Sequence, residues 1–381
     1  MPGLPRVCHI ITTTSAGGAE KQLLTLAANS RDRLEHSIIG LQAAGELAPA
    51  MESAGAKVIN LGLKPGLGAL LRGPSLIRRA LQQVRPQVVQ TWLYHADLLG
   101  ALALGTNRTP PLIWGLRNSD LSLSSSTRLV LKACLRLSKR PRAIVANSRA
   151  GADWHIKLGY PANKIRVIPN GFDTTRFHPD PEAGVQTRAE LGVPEDAMVA
   201  GRVARLDAAK DYPGLAVAAR IALLAQPKLF FLLVGQGVDP DHPQMAPWGE
   251  PALVKRSLLL GYREDIPRLL TAMDLHVSNS LSEGLPNALG EAMASGVASL
   301  VTDVGDSREM IGHTGRVVPP AEPEVLGQAM GEMAGLGREQ LQRMGAAART
   351  RIEKSYSLQS MITAFCELYS DLAASGTEAG A

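Results

Sequence analysis

Cysteine is scarce. Cys8, Cys134 and Cys366 are odd in number and lack the spacing of metal ligands or of a disulfide framework. They read as buried or free thiols in a reducing compartment. Aromatic residues make up 4% of the 381 positions, too few for the stacking platforms that hold single-stranded nucleic acid. No apolar run nears the roughly 20 residues of a membrane span. Val7–Thr14 is too short and too polar for a signal peptide, so a cytoplasmic location is expected. No repeat is visible at residue level, which argues against a solenoid. A net charge of +5 is too modest to dictate a partner, and no recognition motif or aromatic interleaving accompanies it, so nucleic acid is not expected.

What is present is an alternation of short apolar runs with amphipathic ones. Hydrophobic content of 45% with 20% charged residues is that of a globular protein, long enough for two ordinary domains. Strands are expected at Arg6–Ile11, His36–Leu41, Lys57–Leu61, Val88–Thr91, Leu112–Gly115 and Ala143–Ala146. Helices at Glu20–Asn29 and Ser75–Val84 lie between them, and Gly62–Gly73 reads as a mobile Gly-rich loop. After a connector with Pro169, Pro179 and Pro181 the pattern restarts. Strands follow at Met198–Val203, Leu229–Val234, Ser257–Leu260, Leu275–Ser278 and Ser299–Thr302, with helices at Asp265–Ala272, Pro286–Ser295 and Gln359–Ala374. Pro240–Pro251 reads as an irregular surface loop. This order predicts an α/β protein with two doubly wound parallel sheets.

Two constellations carry chemistry. In Ser282–Gly296, Glu283 precedes a helix start and Glu291 lies inside that helix. Pro286 suits the first turn and Gly296 the stop. The early N–H groups at Asn287, Ala288 and Leu289, with the helix dipole, form an anion site beside Gly284 and Leu285. Upstream, Arg205 and Lys210 follow the strand Met198–Val203, at the end where open α/β sheets bind ligands. Two cations facing a helix N-terminus suit a diphosphate and its departure as a leaving group.

These motifs, with Gly17-Gly18-Ala19-Glu20 and Ile168-Pro169-Asn170-Gly171-Phe172-Asp173, resemble glycosyltransferase family 4 over roughly residues 6–355. The resemblance implies the GT-B fold, two Rossmann-like domains facing a central cleft. It implies an acceptor-binding domain over 1–172, a nucleotide-sugar domain over 173–355, and a helix over 356–375 packing back on the first. It further implies a retaining, metal-independent transferase acting from a nucleotide diphosphate sugar, a UDP-sugar by preference, on an acceptor hydroxyl. A lipid-linked saccharide for surface polysaccharide is the expected acceptor.

On this reading Glu291 holds the ribose and Glu283 the donor sugar, while Arg205 and Lys210 neutralise the diphosphate. Glu283 as a covalent nucleophile stays open. Gly17, Gly18 and Gly235 allow close backbone approach to the donor, and Arg263 falls where related enzymes hold the base. His95, Asp97, Arg117 and Asn118 are acceptor-side candidates, with His95 and Asp97 expected to reach the cleft. Arg117-Asn118 stands where many relatives carry a histidine. Asp239-Pro240-Asp241 matches a metal-binding pattern only by its brevity, and no metal or other cofactor is expected. Arg128, Lys132, Arg136 and Lys139, joined by Arg72, Arg78, Arg79 and Arg85, suit an anionic membrane surface through residues 128–142, hence a peripheral place on the inner face of the cell membrane. The alternatives are a GT-B epimerase or hydrolase, and a non-enzymatic membrane-surface binding protein.

Overall fold

The computed structural model describes residues 3–106, 109–117 and 125–378, in two compact units. The first comprises residues 1–170 with 359–381, and the second residues 171–358. The first unit is built on seven strands: β1 (Arg6–Ile11), β2 (Glu35–Gly40), β3 (Lys57–Asn60), β4 (Val88–Trp92), β5 (Leu112–Leu116), β6 (Ala143–Ala146) and β7 (Ile165–Val167). Their order is β3-β2-β1-β4-β5-β6-β7, and every neighbouring pair is parallel. The second unit carries β8 (Met198–Val203), β9 (Leu229–Val234), β10 (Ser257–Leu259), β11 (Leu275–Ser278), β12 (Ala298–Thr302) and β13 (Arg316–Val318). Here the order is β10-β9-β8-β11-β12-β13, again parallel throughout.

Central strands read as unbroken apolar runs because helices cover both sheet faces. All six residues of β9, Leu-Phe-Phe-Leu-Leu-Val, are buried. The Arg of β8, Arg202, is the exception to that rule and is 2% exposed. In each sheet the winding reverses once, between β1 and β4 in the first unit and between β8 and β11 in the second. Such reversals open a crevice beyond the strands' carboxyl ends.

Three expectations need correction. The helix expected from Ser75 runs Leu67–Val84, so half of the presumed mobile Gly62–Gly73 loop is helical and Pro74 lies inside the helix. The presumed irregular loop Pro240–Pro251 contains a 3-10 segment, Pro243–Gly249, pinned because Met245 and Trp248 are buried in the core of the second unit. Trp248 Nε1 donates to the Tyr212 carbonyl at 3.2 Å. Pro286 is the N-cap (φ −76°, ψ 100°) of a helix running Asn287–Ala294, not a residue of its first turn. Gly296 does end that helix, at φ +73°. The last helix, Leu358–Glu378, lies in the first unit apart from its first residue.

Candidate active site

The site of the second unit assembles at the switch point between β8 and β11. After β8 the chain turns through Asp207, whose side chain accepts from the Ala209 N–H at 2.9 Å, into the 3-10 turn Ala208–Lys210. Asp211 then takes a left-handed conformation (φ +47°), and its carboxylate caps the helix Tyr212–Ala225 through the Gly214 N–H at 3.0 Å. That tight turn sends the Lys210 side chain across the end of β11. Its Nζ meets Glu283 Oε1 at 2.5 Å, with both side chains less than a fifth exposed. Lys210 and Glu283, 73 residues apart in sequence, therefore form one ion pair, where the sequence suggested separate tasks. Arg205 is different: 71% exposed, among the described residues it pairs with Asp207 alone, at 3.4 Å.

The Glu283 carboxylate has a second partner, the Ser280 hydroxyl, which donates to Oε1 at 2.7 Å. Glycine fixes the surrounding backbone at two points. A Cβ on Gly305 (φ +55°) would lie 2.4 Å from the Gly284 carbonyl, which accepts from the Asp306 N–H at 2.9 Å. A Cβ on Gly235 (φ +155°) would meet the Ala204 carbonyl at 1.8 Å, so β9 can end hard against the Arg205 loop only with glycine there.

The helix Asn287–Ala294 is seated from below. Leu285 and Leu289 are core residues, so what they can offer a ligand is backbone, not side chain. A Cβ on Gly290 would strike the Phe172 ring at 2.1 Å. The Phe of the Ile-Pro-Asn-Gly-Phe-Asp segment thus packs close against the helix that carries Glu291. Asn287, Ala288 and Glu291 are half-buried along this helix, whose first N–H groups have no carbonyl acceptors within it. Arg263 is engaged by Asp265 through two bonds, at 2.8 and 2.6 Å. Asp239 accepts from the Asp241 N–H at 3.0 Å and so stabilises its own turn. Among the described residues no group of three or more His, Cys, Asp and Glu is placed to hold a metal ion.

In the first unit, Gly17 caps the helix Gly18–Ser30 after β1, and the Glu20 carboxylate folds back to within 2.3 Å of where a Gly17 Cβ would be. His95 is exposed, on the first turn of the helix Tyr94–Leu104. Asp97 is not a cleft residue. It is fully buried, accepts a hydrogen bond from the Thr91 hydroxyl, and burial holds its carboxyl well above the usual range. The cause is that its helix is covered on both flanks by the helices Leu67–Val84 and Ser125–Leu137. Arg117 lies over the Trp92 ring at 4.3 Å and donates from Nη1 to Asn170 Oδ1 at 3.0 Å. Burial lowers its pKa to about 10, so it stays cationic at neutral pH. Its Nε and Nη2 are buried with no partner among the described residues. Asn118 lies outside the described residues.

Sequence reasoning missed Arg202, Ser280 and Gly305. Only Arg202 left a signal, as a lone cation within an apolar strand run.

Two parallel switch-point sheets, the second with a paired lysine and glutamate beyond it, define a GT-B protein. Residues 16–176 match the model of Glycosyltransferase Family 4, and residues 197–335 match that of Glycosyl transferases group 1. The chain belongs to glycosyltransferase family 4. It is 34% identical over 150 residues to the Escherichia coli UDP-Gal:alpha-D-GlcNAc-diphosphoundecaprenol alpha-1,3-galactosyltransferase, a stretch covering 39% of each chain. It is 26% identical over 342 residues to the lipopolysaccharide core biosynthesis mannosyltransferase LpsB of Rhizobium meliloti, covering 86% of this chain and 92% of that one. The first of these matches spans about two fifths of the relative's length. The crystal structure of Anabaena HepE in complex with UDP superposes with a TM-score of 0.80 at 24% identity, covering 96% of this chain and all of that one.

Proposed function

We propose that the protein is a retaining glycosyltransferase that moves a hexosyl group from a UDP-sugar to a hydroxyl of a lipid-linked saccharide in surface polysaccharide synthesis. The observation that carries the reading is the Lys210–Glu283 ion pair at the switch point of the second sheet. Binding of a nucleotide-sugar exchanges partners. The Lys210 ammonium turns to the diphosphate, Arg205 joins it from the exposed loop, and Glu283 is released to the sugar hydroxyls. Both cations then grow in effect as charge develops on the departing phosphate, which is how such groups accelerate a reaction. Glu291 takes the ribose, and the backbone of Gly284, Leu285, Asn287, Ala288 and Leu289 the phosphate or sugar. The relatives named above act on a diphosphoundecaprenol-linked sugar and in lipopolysaccharide core synthesis, and HepE was crystallised with UDP. These support the donor and acceptor classes.

The two carboxylates test the assignment. Glu291→Gln should weaken binding of free UDP by calorimetry, about tenfold, the scale of one charge-assisted hydrogen bond. Glu283→Gln should leave UDP affinity within twofold and lower transfer. Equal losses of UDP affinity in both variants would end this division of labour.

The positive charge needed at the diphosphate is supplied by Lys210, Arg205 and the helix N-terminus, with no metal. Transfer should therefore persist in excess chelator. Abolition by chelator, with recovery on adding Mn²⁺ or Mg²⁺, would overturn this chemistry.

The first unit supplies the acceptor side, with His95 and the Arg117 guanidinium as its polar groups. Arg128, Lys132 and Arg136 lie exposed on the helix Ser125–Leu137 with Leu129 70% exposed, and the helix Leu67–Val84, on the other flank of Tyr94–Leu104, exposes Leu67, Leu71 and Arg72. That mixture suits an anionic membrane surface. No described helix is long and apolar enough to cross a membrane. Sedimentation with phosphatidylglycerol vesicles should fall with salt, and fall again when Lys132, Arg136 and Lys139 are neutralised together, each cation contributing about 1 kcal/mol. Unchanged sedimentation in the triple variant would leave the basic helix a solvated face.

A further inference from the structure

Arg202 is a guanidinium buried near the carboxyl end of β8, where an unbroken apolar strand would pack without cost. Burying such a group is expensive unless it is hydrogen-bonded; here both terminal nitrogens are bonded, while Nε has no partner among the described residues. Three of its contacts converge on the active-site loops. Nη1 donates to the Val277 carbonyl at 3.3 Å, near the end of β11. Nη2 donates to the Lys210 carbonyl at 3.0 Å and to the Ser280 hydroxyl at 3.2 Å. The guanidinium also faces the Tyr212 ring at 5.5 Å. One cation therefore holds the main chain of Lys210 and, through a serine, the side chain of Glu283. The proton order along the second arm follows from its donors. Arg202 N–H donates to Ser280 Oγ, which leaves the Ser280 O–H free to donate to Glu283 Oε1 at 2.7 Å.

Nothing else fixes this arrangement so economically. The Ser280 main chain is held by Thr302, whose hydroxyl donates to the Ser280 carbonyl at 2.6 Å, and the Leu281 N–H bonds to Ala209 O at 2.7 Å. Those contacts set the loop, whereas among the described residues Arg202 bonds both the Ser280 hydroxyl and the Lys210 carbonyl. The carboxylates of Glu283 and Asp211 both lie close enough to the guanidinium to interact with its charge.

We propose that Arg202 is a positioning residue. It holds the main chain of Lys210 and the hydroxyl of Ser280 from beneath the site, so that the Lys210 ammonium and the Glu283 carboxylate stay in register. A purely structural arginine would act on folding alone and leave donor affinity and turnover of the folded protein untouched. This inference rests on the role proposed for Lys210 and Glu283 above, yet its first readout needs no catalysis.

The experiment measures UDP affinity by calorimetry, and kcat and KM for transfer, in Arg202→Met, Arg202→Lys and Ser280→Ala, each checked by thermal unfolding. Folded Arg202→Met should bind UDP about tenfold more weakly, because Lys210 is no longer held. Arg202→Lys keeps the charge and should recover most of that affinity. Ser280→Ala should leave UDP affinity within twofold and lower kcat, because its hydroxyl reaches Glu283. Ser280 is small and sits on a loop, so Ser280→Ala remains informative if Arg202→Met fails to fold. Wild-type UDP affinity in folded Arg202→Met, or wild-type kcat in folded Ser280→Ala, would overturn the proposal. UDP affinity lost in Arg202→Met with no sugar transfer in wild type itself would sink the proposed function and leave the positioning role standing.

Discussion

Lys210→Ala is expected to lower turnover about 10²–10³-fold, the scale on which loss of one preorganised charge partner slows a reaction. The lysine lies at the end of a tight turn fixed by Asp207 and Asp211 and by its own carbonyl bond to Arg202. Removing the side chain should therefore spare the fold, since none of those bonds uses Nζ. Ser280 still donates to the Glu283 carboxylate, which is partly exposed so that water can reach it. Arg205→Ala should fall in the same direction by a smaller factor, because its guanidinium is 71% exposed and is screened by solvent until a ligand covers it. Single-turnover transfer with saturating nucleotide-sugar is the measurement, with thermal unfolding as the control. Near-normal turnover in a folded Lys210→Ala would remove the ion pair from the mechanism.

Mild acid should destabilise the protein by several kcal/mol, and the first unit before the second. His36 and His155 are held near pKa 4 by burial, His276 near 3 by burial and by Arg202, and His9 lies well below the usual value through burial and the neighbouring His36. In the first unit the neutral tautomers are fixed by a single chain of donors. Ser30 Oγ–H donates to the Leu26 carbonyl at 2.6 Å, so it accepts from His36 Nε2 at 2.9 Å. His36 Nδ1 then accepts from His9 Nε2 at 3.0 Å, and His9 Nδ1 accepts from Trp92 Nε1 at 3.2 Å. A proton on either ring has no acceptor left.

The sign follows from linkage. These bases are less protonated folded than unfolded, so the stabilisation is complete above the unfolded pKa of about 6.5 and is lost as pH falls toward 4. His36, His155 and His276 each account for roughly 1.5 kcal/mol of loss between pH 6.5 and 5, and His9 adds in the same direction. His9, His36 and His155 belong to the first unit and His276 to the second. Urea midpoints at pH 7.5, 6 and 5 should fall steeply, with near-ultraviolet signals from Trp92 and Trp114 lost ahead of that from Trp248. His155→Gln should reduce the proton uptake on unfolding near pH 5.5 by about one. A flat midpoint across this range would show that the buried rings titrate normally.

Much of the fold was written locally. β1, β6, β8, β9 and β11 fall on the residues that their apolar runs indicated, because each run is bounded by turn residues and buried on both faces. The helix Asn287–Ala294 was legible from its proline, its glycine stop and its small residues. β13 and β7, three residues each at the sheet edges, were not, since a run so short has no period to read.

The sequence by itself therefore determined two parallel sheets, the places where strands end, and the identity of the charged groups beyond them. Strand ends and turn chemistry are properties of a few adjacent residues. Tertiary structure alone decided which charge meets which. Lys210 and Glu283 pair across 73 positions, and Arg202 reaches Ser280 across 78, because the crossovers bring β8 and β11 side by side. It also decided that Asp97 is interior while His95, two residues away, is exposed. A helix covered by neighbours on both flanks buries a carboxylate as readily as a leucine, and no local pattern records those neighbours.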